Sequence, residues 1–402
     1  MRRPLFIALF IMITAALLIA HEPASARAAD APAPVCVGLD AEVGHVTSTS
    51  DDAIRMGILA AMDEINRAGG VLGGRPLELI VKDNRSVPAR GVSNIRAFAE
   101  VPDLVAVVGG KFSPVMLEEL DVLHELRVIL LDAWGAADGI VDNGRNPNYC
   151  FRLSLKDSWA IQTMMERARS IGAKRIGVLL PVTGWGRSNQ RAIEAYQRTH
   201  NWFEIAGMEW YNWGDKTMLP GYEALVDAGA EAILLITNEA EGSVLVREMA
   251  ALPEARRLPV ISHWGVSGGE FTVLTGPAIE SVDFTVVQTY SFFDRKRPEK
   301  LAVFYETMGR LFNVHGPEDI TSPVGVAHAY DLTHILARAI DLAGTTDRPA
   351  VRDALERVTG HDGLIKRYAR PFTPERHEAL DPADLFMGRF RASDGAILRA
   401  KD

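Results

Sequence analysis

From residue 35 onward, short continuous apolar runs alternate with longer stretches whose apolar positions recur at helical spacing. "VCVGLD" precedes "DAIRMGILAAMDEIN", "LELIVKD" precedes a helical pattern beginning near Pro88, "LVAVVGG" leads into "SPVMLEELDVLHEL", and "RVILLDAW" closes this first set. Runs that are apolar on both faces belong to parallel strands covered by helices on either side. Strands alternating with helices of ten to fifteen residues predict βαβ units and an α/β fold. The alternation restarts after "NPNYCFRLS", where "KRIGVLLP", "AILLITN" and "LPVISHW" predict three more buried strands with helices between them. Around residues 298–357 the pattern is mainly helical. The tail, "DLFMGRFRASDGAILRA", predicts short β structure with a turn at Asp394-Gly395. Two similar α/β lobes are the simplest architecture for this pattern.

The N-terminus departs from it. "MRRPLFIALFIMITAALLIA" sets two arginines before an apolar stretch from Leu5 to Ala20, and small-residue cleavage sites follow at 24–26 or 26–28. This layout predicts a secretory signal peptide over residues 1–28. The apolar stretch is shorter than the roughly 20 residues a membrane span prefers. No cysteine lies near the cleavage region, so no lipid anchor is expected. Export to the periplasm, with no direct membrane insertion after cleavage, is the expectation. With 48% hydrophobic residues, the 402-residue chain can bury a large core. Its formal charge is −9, and removing the leader takes away three arginines and one glutamate, leaving a more acidic chain. That excludes nucleic acid as an expected partner. Cys36 and Cys150 both sit in strand-like runs, where either a disulfide or two buried thiols would fit.

In open α/β sheets, ligands bind beyond the carboxyl ends of the strands. That rule selects five loops. Ser113 and Pro114 open the helix after "LVAVVGG", where Ser113 is the expected N-cap and free backbone N–H groups suit a carboxylate. Trp134, Trp185 and Trp264 each stand beside a glycine in three of the other four loops. Rings gathered at one structural level would wall a cleft around an apolar or cationic ligand. Glu239 and Glu241, after "ILLITN", could answer an ammonium, although carboxylates also stabilise a helix start. Tyr290 is a further candidate contact.

Catalytic signatures are sparse. "GVSGG" (Gly265 to Gly269) fits the nucleophile-elbow pattern with Ser267 as nucleophile, but no HGGG-type segment precedes it. The ten histidines show no metal-ligand spacing, and there is no phosphate-binding loop. Neither a metal nor a cofactor is expected.

Longer segments carry a resemblance. "AMDEINRAGGVLGGRPLELIVKD", "YCFRLSLKDSW" and "AHAYDLTHILARAIDLAG", in that order, resemble type I periplasmic binding proteins, in particular the leucine/isoleucine/valine-binding family that serves ABC transporters. The resemblance runs from about residue 35 to the C-terminus. It implies two α/β lobes joined by three crossings, with lobe 1 at 31–151 plus 285–362 and lobe 2 at 152–284 plus 363–402. It also implies an exported binder without catalysis, delivering a small organic molecule to an ABC permease or reporting it to a sensor receptor. By the same resemblance, Ser113 would bind a ligand carboxylate, Trp185 would cover the ligand, and Glu241, with Glu239 close by, would meet an α-ammonium. Two places depart from the family pattern. "AWGAAD" has Trp134 and Ala136 where the family usually carries a small residue and a hydroxyl. "DAEVGHVTSTS" brings in Glu42 and His45 in place of a Gly-Pro-rich turn. Both departures point away from a plain aliphatic amino acid.

Overall fold

The computed structural model describes residues 32–44 and 49–400. The expected signal peptide, 1–28, lies outside them. The first sheet has five strands: β1 (Val35–Ala41), β2 (Leu77–Asp83), β3 (Leu104–Gly109), β4 (Ile129–Asp132) and β5 (Cys150–Arg152). Their order is β2-β1-β3-β4-β5 and every pairing is parallel. β1, β3 and β4 are buried along their whole length, as their unbroken apolar runs require. Helices α1 (Ser50–Arg67), α2 (Pro88–Ala99) and α3 (Ser113–Glu125) make the crossovers.

The second sheet begins with β6 (Arg175–Pro181), β7 (Glu204–Tyr211), β8 (Ala232–Leu235), β9 (Val260–Ser262) and β10 (Phe284–Gln288). Its helices are α4 (Asp157–Ser170), α5 (Gly184–Thr199), α6 (Leu219–Asp227), α7 (Glu239–Ala251) and the short α8 (Phe271–Thr275). The chain then returns to the first lobe as α9 (Pro298–Phe312), α10 (Pro323–Ala343) and α11 (Arg348–Leu355), with α10 packed along α1. A two-strand ladder follows, β11 (His361–Asp362) with β12 (Arg367–Tyr368). The tail completes the second sheet with β13 (Phe386–Phe390) and β14 (Ile397–Arg399), both antiparallel. Their turn contains Asp394 and Gly395, the latter with φ +73°. The seven strands run β14-β13-β10-β9-β8-β6-β7.

Strand pairing sets where the chain crosses between sheets. β10 is bonded to β9 and β13 along its length, so the crossing expected at 284/285 follows Gln288. The other two crossings lie after Arg152 and between Tyr368 and Phe386. Arg152 joins them. Its guanidinium forks onto Glu378 at 2.9 and 2.6 Å, and its remaining amine donates to the carbonyls of Gly135 and Ala137 at 3.1 and 2.9 Å. Cys36 and Cys150 are both free and buried. They sit on β1 and β5, with β3 and β4 between them. Three strand spacings of about 4.8 Å put a disulfide out of reach.

Candidate functional site

The carboxyl ends of β3 and β4 face those of β6, β8 and β9 across a cleft. Lys111, Phe112, Ser113, Pro114, Trp134 and Ala136 line it from the first lobe; Trp185, Trp213, Asn238, Trp264 and Gly265 line it from the second. All three sequence-selected tryptophans therefore meet, and Trp213 joins them. The rings of Trp134 and Trp264 lie 5.5 Å apart across the two lobes. Phe112 meets Trp213 edge-on at 5.3 Å. The space left between these side chains is about 20 Å³, enough for one water molecule. The cleft is shut.

The glycines beside the tryptophans have a steric reason. A Cβ at Gly186 would lie 1.9 Å from the Pro181 carbonyl oxygen, so the tight turn carrying Trp185 into α5 admits no other residue. A Cβ at Gly265 would lie 2.2 Å from the Thr237 carbonyl and 2.9 Å from the Trp185 ring. Thr183 secures the same turn by accepting the Gly186 N–H at 3.2 Å. Trp185 is then held by its own indole, whose N–H donates to Asp157 Oδ1 at 3.0 Å. His263 Nε2 approaches that oxygen to 3.1 Å, while its Nδ1 accepts the Trp264 backbone N–H at 2.9 Å. That acceptor role places the proton of a neutral His263 on Nε2, facing Asp157.

Ser113 is the first residue of α3 rather than its cap; Phe112 holds the cap position. The Ser113 hydroxyl accepts the N–H groups of Ala136 and Ala137, at 3.1 and 3.2 Å. It thereby fixes the β4 loop, which Arg152 props from below through the two flanking carbonyls. With two such partners, its oxygen has no capacity left to cap its own helix.

The acids behave differently from one another. Glu239, at the start of α7, is ion-paired with Lys111 from the loop after β3; both side chains are buried, at 6% and 2% exposure. Glu241 accepts the Gly214 N–H at 2.8 Å and so anchors the loop that carries Trp213. Asp51 accepts the N–H groups of Glu42 and Lys111, at 2.7 Å each. Burial pushes its carboxyl up to about 7 despite those bonds. Further bridges close the lobes: Asp138 N–H to Ser188 Oγ at 3.2 Å, and Thr49 N–H to the Gly268 carbonyl at 3.0 Å.

Glu239 and Glu241 are not among the lining residues, and two further candidates, Glu42 and Tyr290, also stand apart from it. Glu42 is half-buried at the end of β1, joined to Asp51 through its N–H. His45 lies outside the described residues. Tyr290 lines a separate cavity with Asp294, Arg297 and Lys366, packed edge-on to Phe292 at 4.9 Å. The Ser267 hydroxyl donates to the Trp264 carbonyl inside its own 3₁₀ turn, Trp264–Gly268. No histidine hydrogen-bonds it among the described residues. No group of three or more metal-ligating side chains occurs among the described residues, and no described helix is long and apolar enough to cross a membrane.

Lys111, Phe112, Trp213 and Asn238 were not singled out from the sequence. Trp213 carried the same Trp-Gly signal as the others. The strand before it, β7 ("EIAGMEWY"), is a half-exposed edge strand and lacks the continuous apolar run that marks a buried strand. Nothing in the sequence marks Lys111, whose partner comes 128 residues later.

Residues 38–395 match the family model for periplasmic binding proteins. A Leu/Ile/Val-binding protein of Rhizobium johnstonii is 24% identical over 328 residues, covering 81% of this chain and 84% of that protein. Among solved structures, a type 1 periplasmic binding protein from Bordetella pertussis superposes with a TM-score of 0.79 at 20% identity, covering 92% of this chain and all of the other. A solute-binding protein of an ABC transporter from R. palustris, in complex with 4-hydroxybenzoate, superposes with a TM-score of 0.74 at 15% identity, covering 92% and 96%.

Proposed function

The chain belongs to the periplasmic binding protein family, and from that premise we propose that it captures a small organic ligand between its lobes and hands it to an ABC permease after export. The observation that carries this reading is the cleft itself. Residues from both lobes wall it with four tryptophans, and among the described residues hydrogen bonds and an ion pair bridge the lobes beside it. The three crossings act as the hinge. With about 20 Å³ left inside, a ligand enters only after the lobes part, and closure follows from its higher affinity for the shut state. Ser113 acts by holding the β4 loop in place, and Trp134, Trp185, Trp213 and Trp264 exclude water from the ligand body.

The test is a thermal-shift screen of the exported, purified protein, stripped of ligand by unfolding and refolding. The library holds amino acids, aromatic and aliphatic carboxylates, amides and quaternary amines. Ligand at a hundred times its dissociation constant adds about 2.7 kcal/mol of stability. A reproducible rise in Tm with one chemical class is the expected result. A flat response from well-folded protein would count against solute capture.

A further inference from the structure

No acidic residue is among those that line the cleft. Glu239, next in sequence to the lining residue Asn238, is ion-paired with Lys111, an ammonium supplied by the opposite lobe. Glu241 is committed to the Gly214 N–H behind the Trp213 loop. Asp157 lies fully buried beneath Trp185, outside the lining. A ligand ammonium entering here would have to displace Lys111, leaving one of two cations without its counter-ion in a dry site.

Donors are placed the other way round. The indole N–H of Trp213, a lining residue, is buried and has no acceptor among the described residues. A buried donor left unpaired is costly and is satisfied by an acceptor on whatever fills the cleft. Lys111 Nζ has three N–H groups, and Glu239 is its hydrogen-bonded partner among the described residues. Its other donors point to the same requirement. The walls around these donors are flat rings.

Resting on the solute-binding reading above, we propose that the ligand is a flat apolar molecule bearing a carboxylate or carbonyl oxygen and no amine. Lys111 is the residue that sets this selectivity. It supplies, from within the chain, the cation beside Glu239. Trp213 donates to the ligand oxygen. The fold is shared with binders of leucine, isoleucine and valine, but the charge arrangement at this cleft selects against all three.

The experiment uses matched pairs that differ only by the amine: 3-phenylpropanoate against L-phenylalanine, and 4-methylpentanoate against L-leucine, with 3-phenylpropanamide as the neutral member. Calorimetry on the wild-type protein should find the amine-free member of at least one pair bound about tenfold more tightly or better. Lys111→Met releases Glu239 and should shrink or reverse that preference. Glu239→Gln, a second variant that keeps Lys111, should retain the preference for the amine-free member. Equal or tighter binding of either amino acid by the wild type would overturn the inference while leaving solute capture standing. An unchanged preference in folded Lys111→Met would remove Lys111 as its cause. No binding of any probe, together with a flat thermal-shift screen, would overturn the solute-binding reading and this inference with it.

Discussion

The two faces of the cleft are built from the same unit, a strand end running into a helix, yet they differ in chemistry. The first face is mostly framework. Ser113 accepts two backbone N–H groups, Arg152 props the loop between them, and Lys111 projects a cation across the gap. The second face is mostly surface. It presents three of the four tryptophans and the carboxylate that meets Lys111. The fold therefore fixes where the cleft lies, while the side chains added to each face set its chemistry.

Removing the framework should have the largest effect. Arg152→Met would leave Glu378 and Asp132 buried without their cation and free two carbonyls beneath the cleft. Breaking a buried ion pair in this way costs about 3–5 kcal/mol, readable as a lower midpoint in urea unfolding. A loss below about 1 kcal/mol would show that the first face does not depend on this arginine.

Changing the surface should cost less. Trp185→Phe keeps an aromatic ring but removes the indole N–H that Asp157 accepts. A hydrogen bond to a charged group is worth about 1.5–3 kcal/mol, so stability should fall by that order while ligand affinity drops further. If stability falls and affinity does not, Trp185 belongs to the framework and the two faces are more alike than described.

The last effect concerns pH. Asp51 has its folded carboxyl at about 7, above the ordinary 3.8. The folded state therefore holds this proton more tightly than the unfolded chain. The stability it contributes is fully present below about 4 and is lost as pH rises through about 7. Asp51→Asn, which cannot titrate, should gain on the wild type across that window. Parallel melting curves for the two proteins from pH 4 to 7 would show that Asp51 does not couple the first face to protons.

Much of this was legible in advance because buried parallel strands need unbroken apolar runs, and the loops at their ends meet in the cleft. That rule brought forward Trp134, Trp185 and Trp264, and all three line it. Edge strand β7 escaped it, since half-exposed positions accept polar residues, and Trp213 was lost with it. The pairing of Lys111 with Glu239 was invisible for another reason: a lone lysine and a helix-start glutamate are ordinary residues until folding places them side by side. The role expected of Ser113, as an N-cap, failed because a neighbouring loop competes for the same oxygen.

The tail strands carry a consequence for how the chain is made. β10 waits for β13, and β13 for β14, so the second sheet is incomplete until residues 386–399 arrive. The first lobe likewise lacks α10, the helix that covers α1, until residue 343. Neither lobe can mature as the chain emerges; both remain partly uncovered for most of synthesis. Contacts this distant in sequence slow folding and prolong exposure of unpaired edges. A chain truncated before Phe386 should therefore be cleared by proteases rather than accumulate as half a binding protein.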